Sequence, residues 1–180
     1  MSSKTPEEVY EHLKKEFGDQ IIQTFFDPAK DPETDPKKKH VGDCYIVVQP
    51  GSITKVCEFL RNNSDLHFDS LSCLGSVDDT SEKPAYVVVY NLFSFKHRHH
   101  VTLKVKLPKD NPKVPSVQGI WSGANWFERE AFDLMGITFE NHPDLRRLLL
   151  PPDWVGHPMR KDYEFPAEYN GISCTRPKLK

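Results

Sequence analysis

The sequence predicts an α+β fold, a two-layer sandwich in which helices lie on one side of a mainly antiparallel sheet. Across residues 1–107, segments with helical and strand periodicity follow one another in the order α-β-β-α-β-β-β. The last two strands form one long hairpin, so their pairing is antiparallel. We expect this domain to be followed by a linker with two short helices at 108–150 and by an irregular, extended, partner-binding tail at 151–180.

Capping signals predict the first helix. Thr5 is a suitable N-cap, Pro6 fits the first helical position, and Glu8 stands three residues after the cap, which completes a capping box. Apolar residues then recur at every fourth position from Val9, and Gly18 is placed to end the helix. This pattern is typical of an amphipathic helix with one buried face.

β-Branched and aromatic residues predict strands at 21–26 and 44–49. The segment between them, 27–40, holds three Asp-Pro pairs and a lysine triplet, so we expect an exposed loop there. A second helix is expected after Pro50, because apolar residues recur at i, i+3, i+4 and i+7 from Ile53.

Three further strands complete the predicted sheet, at 66–77, 84–95 and 98–107. In the last of them apolar residues at 101, 103, 105 and 107 alternate with polar ones. This period of two indicates one buried face and one solvated face.

Two short helices are predicted in the linker. The first spans residues 124–135, with Asn125 as a cap, Glu128 three residues later and Gly136 as the C-cap. The second begins at Pro143 and ends two turns later at the proline pair 151–152. No periodicity remains after this point.

Composition excludes several classes of function. The net charge is −2, from 24 basic and 26 acidic residues, which argues against nucleic acid as a partner. No apolar run is long enough to span a bilayer, and the first residues contain no apolar signal-peptide core, so we expect neither a transmembrane segment nor secretion. The four cysteines form no C-x-x-C pair, and no glycine-rich phosphate motif is present. We therefore expect no cofactor in this chain.

The predicted helix at 124–135 concentrates charge. Glu128 and Glu130 point about 200° apart on a helix, so they cannot easily share a proton or an ion. Arg129 and Asp133 are spaced to pair at i, i+4. We expect the carboxylates to meet the basic residues that follow, with one of two adjacent arginines binding within the domain and the other outside it. These basic residues are Arg146, Arg147, Arg160 and Lys161.

Four histidines are candidate ligands or bases. His97 and His99 share a face of the hairpin and, with carboxylates, could form a metal site of a stand-alone enzyme. Without a clear third ligand, a hairpin end that faces solvent or a partner is favoured. His142 and His157 each precede a proline, so we expect fixed turns in which each imidazole bonds the backbone or a carboxylate.

The tail is expected to bind another protein. Ordering its backbone costs roughly 30–60 kcal/mol, whereas full burial of its seven large apolar side chains supplies roughly 10–20 kcal/mol. We therefore expect protease sensitivity after about Pro151 in the free chain. The expected anchors on a partner are Trp154, Tyr163, Phe165 and Tyr169.

Three segments together resemble the C subunit of respiratory complex I, the proton-translocating NADH:quinone oxidoreductase. They read ERExxDLMGI at 128–137, HPDLRRLL at 142–149 and GHPMRKDY at 156–163. The similarity is dense over residues 114–165, whereas 27–40 and the end of the tail show none.

This resemblance implies a scaffold role in a larger enzyme. The complex uses NADH, FMN, iron–sulfur clusters and quinone, and its C subunit is expected to carry none of these cofactors and no catalytic residue. It is expected to lie peripherally on the cytoplasmic side of the bacterial inner membrane. There it contacts the large D subunit beside the quinone cavity, and the iron–sulfur subunits, through the basic residues and tail aromatics named above.

Two alternatives remain beside this interpretation and the metal enzyme. Membrane-bound hydrogenases and formate hydrogenlyase contain a homologous module. A soluble binding module unrelated to respiration would instead be a stable monomer with an ordered tail.

Overall fold

The computed structural model describes residues 3–25, 44–80 and 84–174, and an α+β fold is confirmed. The predicted loop at 27–40 falls outside these residues. The elements in chain order are α1 (Pro6–Phe17), β1 (Ile21–Phe25), β2 (Tyr45–Val48), α2 (Ile53–Asn62), β3 (Ser70–Asp79), β4 (Ala85–Ser94), β5 (His99–Leu107), β6 (Lys113–Pro115), α3 (Ala124–Met135), β7 (Thr138–Glu140), β8 (Glu168–Tyr169) and β9 (Ile172–Ser173).

The main sheet has five strands in the order β1-β2-β5-β4-β3. Its neighbours pair antiparallel except β2 and β5, which run parallel. The predicted hairpin of β4 and β5 is confirmed, with Tyr86 opposite Leu107 and Ser94 opposite His99. Two small sheets complete the described structure, parallel β6–β7 and antiparallel β8–β9.

The first two helices form as predicted and bury the predicted faces. The Thr5 backbone N–H donates to Glu8 Oε2 at 2.9 Å, and the Glu8 N–H donates back to Thr5 Oγ1 at 3.4 Å, which is the expected capping box. The buried side chains of α1 and α2 join one core with the sheet. They are Val9, Leu13, Ile53, Val56, Cys57 and Leu60.

The third strand begins four residues later than predicted. Leu66 and Phe68 are fully buried, but their segment caps α2 instead of pairing in the sheet. The His67 N–H donates to the Asn63 carbonyl and the Phe68 N–H to the Leu60 carbonyl. Leu66 and Phe68 are therefore buried without belonging to a strand.

The prediction that the hairpin end faces solvent or a partner is wrong for His99. This imidazole is 2% exposed; its Nε2–H donates to the Leu66 carbonyl at 2.7 Å, and its Nδ1 accepts from the Lys4 N–H at 3.2 Å. The His97 Nε2–H donates to the Ser64 carbonyl at 2.9 Å. Burial lowers the pKa of His99, so it is neutral near pH 7. Both rings thus tie the hairpin to neighbouring backbone.

Two linker predictions are corrected. Asn125 does not cap α3, because the N-cap position is Gly123 and no side chain caps it. The second helix from Pro143 does not form, and residues 141–150 run as turns and bends. The predicted C-cap of α3 is confirmed, since Gly136 has φ +70°. No helix among the described residues has the length and apolar character needed to cross a membrane.

Candidate functional site

Asp133 of α3 is the centre of the linker. Its carboxylate is fully buried and accepts the Arg147 Nη1–H on Oδ1 at 2.8 Å. Its other oxygen accepts three consecutive backbone N–H groups, from Leu148, Leu149 and Leu150, at 2.7–3.0 Å. These N–H groups converge on one anion instead of continuing a helical ladder, which explains why the predicted second helix is absent.

These donors keep Asp133 ionised. Burial alone would raise the pKa of its carboxyl, but the three backbone N–H groups and Arg147 outweigh burial and hold the pKa below the usual value. A buried charge with this many partners fixes the geometry of the segment around it.

Arg147 joins three parts of the chain. Besides the Asp133 side chain, its guanidinium donates to the Asp133 carbonyl at 3.4 Å and to the Gly156 carbonyl at 3.2 Å. Helix α3, the 141–150 segment and the start of the tail are therefore held by one side chain.

The predicted i, i+4 pair of Arg129 with Asp133 is replaced by another arrangement. Arg129 Nε donates to the Arg146 carbonyl at 3.2 Å and its Nη2 to the Arg147 carbonyl at 3.3 Å. The prediction was wrong because Asp133 is already saturated by partners from a segment distant in sequence.

The adjacent arginines point to different sides, as expected. The Arg147 side chain is 21% exposed, whereas that of Arg146 is 73% exposed and pairs only with Asp144, at 2.9 Å, among the described residues. Arg146 therefore presents much of its guanidinium outward.

Glu128 and Glu130 are separated as the helical geometry requires. Glu130 is exposed, and Glu128 is fully buried. Glu128 accepts the Ser116 hydroxyl at 2.6 Å and the Val117 N–H at 2.8 Å, which fastens α3 to the segment after β6. Burial raises the pKa of Glu128 to about 7, and those two donors offset only part of the increase.

His142 lies beside this buried carboxyl in a fixed turn, as predicted. Its Nδ1 accepts the Asp144 N–H at 3.0 Å, so the neutral ring carries its proton on Nε2. That nitrogen lies 3.9 Å from Glu128 Oε2, beyond hydrogen-bond distance. Burial lowers the pKa of His142 and favours the neutral ring.

Residues 157–161, which we call the strap, cap the C-terminal end of α3. The His157 Nδ1–H donates to the Asp133 carbonyl at 2.9 Å, and burial lowers the pKa of this ring. The Met159 N–H donates to the Leu134 carbonyl at 3.1 Å and Arg160 Nε to the Met135 carbonyl at 2.9 Å. Three carbonyls that a helix end leaves unpaired are thereby satisfied by a segment more than twenty residues away.

The strap also reaches the main sheet. The Lys161 backbone N–H donates to Asp78 Oδ2 at 2.8 Å, and the Lys161 Nζ donates to the Thr80 hydroxyl at 3.1 Å. Lys109 pairs with the same Asp78 carboxylate. Arg160 lies over the Tyr86 ring, 5.1 Å from its centroid. The part of the tail nearest the domain is therefore bound within this chain.

Sequence reasoning missed Asp78, Tyr86, Lys109 and Ser116. A signal existed for Asp78: it is two strand repeats after Leu74, on the buried face, and both are under 5% exposed. A charged residue at a buried strand position requires a partner. The sequence could not identify that partner, because Lys109 and Lys161 lie 31 and 83 residues further on.

The tail aromatics pack mainly on one another. The Trp154 and Tyr169 rings are 4.9 Å apart, and those of Tyr163 and Phe165 are 5.0 Å apart. The Tyr163 hydroxyl donates to the Val155 carbonyl at 2.9 Å. The linker and tail nonetheless expose large apolar side chains, each more than 60% accessible: Leu149, Val155, Met159, Phe165 and Ile172.

The fold and this site define an α+β domain whose C-terminal segment is fastened to one charged helix. Residues 46–169 match the family described as respiratory-chain NADH dehydrogenase, 30 Kd subunit. The chain belongs to this family, and the resemblance seen in the sequence is confirmed.

Curated relatives agree with this assignment. The NADH-quinone oxidoreductase C subunit of Roseiflexus sp. (strain RS-1) is 47% identical over 138 residues, which are 77% of this chain and 79% of the relative. The C subunit of Geotalea uraniireducens is 40% identical and covers 70% of this chain and 76% of the relative. That of Chloroherpeton thalassium is 38% identical over 167 residues, 92% of this chain and 64% of the relative.

Two solved structures share the fold. A trypsin-resistant fragment of Nqo5 has a TM-score of 0.56 at 24% identity and covers 77% of this chain and 98% of the fragment. A chain of the membrane-bound sulfane sulfur reductase, an archaeal respiratory membrane complex, has a TM-score of 0.65 at 20% identity. The match covers 89% of this chain and 86% of the reductase chain. At these identities the likeness concerns the fold alone.

Proposed function

We propose that this chain is the C subunit of an NADH:quinone oxidoreductase of the complex I type and serves as a structural part of the peripheral arm. In this role it supports electron transfer from NADH to quinone, coupled to proton translocation, without performing a chemical step itself. The membership in the 30 Kd subunit family and the names of the curated relatives support this assignment.

One observation carries the structural role. The polar atoms of Asp133, Arg147 and Arg160 are engaged with each other or with backbone groups of α3, the linker and the strap. Residues held in this way shape a surface and have little freedom to bind substrate or transfer protons.

The redox cofactors belong to other subunits in this proposal. The described residues contain no group of three or more His, Cys, Asp and Glu side chains arranged to hold a metal ion. The four cysteines are separate free thiols, and Cys57 is buried with a pKa raised well above its usual value by that burial. We assign FMN and the iron–sulfur clusters to partner subunits.

The partner surface is proposed on the outward side of the linker and the tail. The exposed guanidinium of Arg146 and the exposed side chains of Leu149 and Phe165 combine charge and apolar area, a mixture typical of protein interfaces. We assign the D subunit and the neighbouring iron–sulfur subunits as the partners. This places the chain peripherally on the cytoplasmic side of the bacterial inner membrane.

A hydrogenase-type or other respiratory complex is the second candidate. Its support is the fold shared with the archaeal reductase at 20% identity, far below the 47% shared with the Roseiflexus relative. A complex of that kind would contain no NADH-oxidising flavoprotein, so the two candidates differ in composition.

Affinity purification from native membranes tests the proposal. A tagged chain is expected to bring with it an NADH-oxidising flavoprotein, iron–sulfur subunits and a D subunit, and the Arg146→Ala variant is expected to recover less of them. Arg61→Ala, an exposed arginine at the end of α2, is the control and should recover as much as the unaltered chain. Recovery of the chain alone, or with hydrogenase subunits, would contradict the proposal.

A further inference from the structure

Among the residues that the structure describes, Glu130 is the one carboxylate of α3 that has no bonding partner. Glu128 is fastened to the segment after β6, and Asp133 to the linker. Glu130 is exposed and has neither a hydrogen bond nor an ion pair within the described ranges. Its surroundings therefore show what kind of group could pair with it.

Glu130 lies on the rim of an apolar groove between α3 and the outer strand β3. The groove has a volume of about 190 Å³, and its walls include Leu74, Phe127, Leu134, Met135 and Met159. Met159 is 61% exposed and belongs to the strap, so one wall is an adaptable thioether side chain.

The size of the groove limits its occupant. Sites for cofactors and drug-sized ligands occupy roughly 300–1,000 Å³, so this groove is too small for either. A cavity of about 150 Å³ accommodates a benzene molecule. The groove therefore matches one large apolar side chain presented by another protein.

The charge on the rim adds a second requirement. A carboxylate beside an apolar pocket favours a cation next to the inserted side chain and disfavours an anion there. The occupant that meets both conditions is a peptide segment with a large apolar residue adjacent to a lysine or arginine.

We infer that the groove between β3 and α3 is a docking site for such a segment of a neighbouring subunit, with the apolar side chain inserted beside Leu134 and the basic side chain paired with Glu130. This inference rests on the proposed function, because it assumes that the chain resides in a multi-subunit complex. It assigns a contact separate from the outward surface around Arg146.

Site-specific photo-crosslinking in the assembled complex tests the contact. p-Benzoylphenylalanine replaces Met159 in one variant, because Met159 lines the groove and is 61% exposed, and Glu130 is left unaltered. In a second variant it replaces Glu140, an exposed residue on β7 that does not line the groove. Crosslinks from position 159 are expected to map to one segment of another subunit that contains a basic residue beside a large apolar one. Position 140 should give no crosslink to that segment.

Two substitutions separate charge from shape. Glu130→Lys is expected to weaken retention of the chain in salt-washed complex about fivefold, because an exposed pair is lost and a like charge is introduced. Ser76→Met places a larger side chain in the groove and should weaken retention at both low and high salt. Glu140→Lys should match the unaltered chain.

The possible failures are distinguishable. If the complex is recovered intact but position 159 crosslinks only within this chain, to a second copy of it, or to nothing, the docking inference is wrong and the structural role stands. If the tagged chain recovers no complex at all, the proposed function itself is wrong.

Discussion

The Asp133 carboxylate and the Arg147 guanidinium, 2.8 Å apart, connect the end of α3 to residues 141–150, which have no regular secondary structure. The pair lies where the helix, the linker and the strap meet, since Arg147 also reaches the Gly156 carbonyl. Disturbing it is therefore expected to act on the fold first and on assembly as a consequence.

Arg147→Ala is expected to lower the free energy of unfolding by about 3 kcal/mol, because it leaves a buried carboxylate without its cation. The three backbone N–H groups that remain on Asp133 keep the loss at the low end of the range for buried ion pairs. Arg146→Ala, at a site 73% exposed, should change stability by no more than about 0.5 kcal/mol. Urea unfolding of the full chain measures both, and equal losses would contradict the division of roles.

Gly136→Ala is expected to loosen the strap. Gly136 has φ +70°, and an added Cβ would lie 2.6 Å from the His157 ring and closer still to Arg160. The backbone strain alone costs about 1–2 kcal/mol, and displacement of the strap adds to it. Gly119→Ala is the control, because its Cβ would meet nothing within 4 Å. Thermal unfolding should show a lower midpoint for the first variant and no change for the second.

Glu128 is expected to make stability fall as the pH rises through the acidic and neutral range. Its pKa is about 7 in the folded chain against 4.5 unfolded, so the folded state binds more protons between these values. The stabilisation is complete below about pH 4.5 and is lost as the pH rises through 7. The free energy of unfolding falls by about 3 kcal/mol over this range.

Glu128→Gln should remove this component, whereas Glu130→Gln, on the exposed side of the helix, should keep it. The measurement is the free energy of unfolding at a series of pH values. The lowered pKa values of Asp78 and Asp133 act in a separate window, because their stabilisation is lost only as the pH falls below about 3.8.

The tail is expected to be protease-sensitive in two stages. The bonds after Glu164 and Glu168 are exposed and should be cut first by a glutamate-specific protease. Trypsin should cut after Arg160 and Lys161 more slowly, because these residues are bonded to Met135 and Asp78. Asp78→Ala should accelerate the tryptic cuts, and mass spectrometry of timed digests follows both. Tryptic cuts at the same rate in Asp78→Ala and in the unaltered chain would show that the strap is not held by the domain.

Local signals were sufficient for α1, α2 and the β4–β5 hairpin of the sheet domain, although β3 begins four residues later than predicted. The capping box at Thr5, the spacing from Ile53 and the alternation in β5 each depend on neighbours within a few residues. Hydrophobic periodicity reports such neighbours directly, which is why α1, α2 and the β4–β5 hairpin are where the sequence predicts them.

Hydrogen bonds between residues distant in sequence determine the structure of residues 141–150. Pro143 and the leucines after it satisfy the local rules for a helix, yet the leucine N–H groups bind a carboxylate about fifteen residues earlier. Long-range partners also replace local ones at two other residues. Arg129 donates to two carbonyls instead of pairing with Asp133, and Asp78 accepts the backbone N–H of Lys161.

Residue order alone therefore determines α1, α2, the β4–β5 hairpin, the charged face of α3 and membership in the family. The three-dimensional packing determines which charge is buried and which is left outward, as Asp133 and Glu130 show. The reason is physical: periodicity depends on contacts a few residues apart, whereas a buried charge is stable only where distant parts of the chain supply its partners.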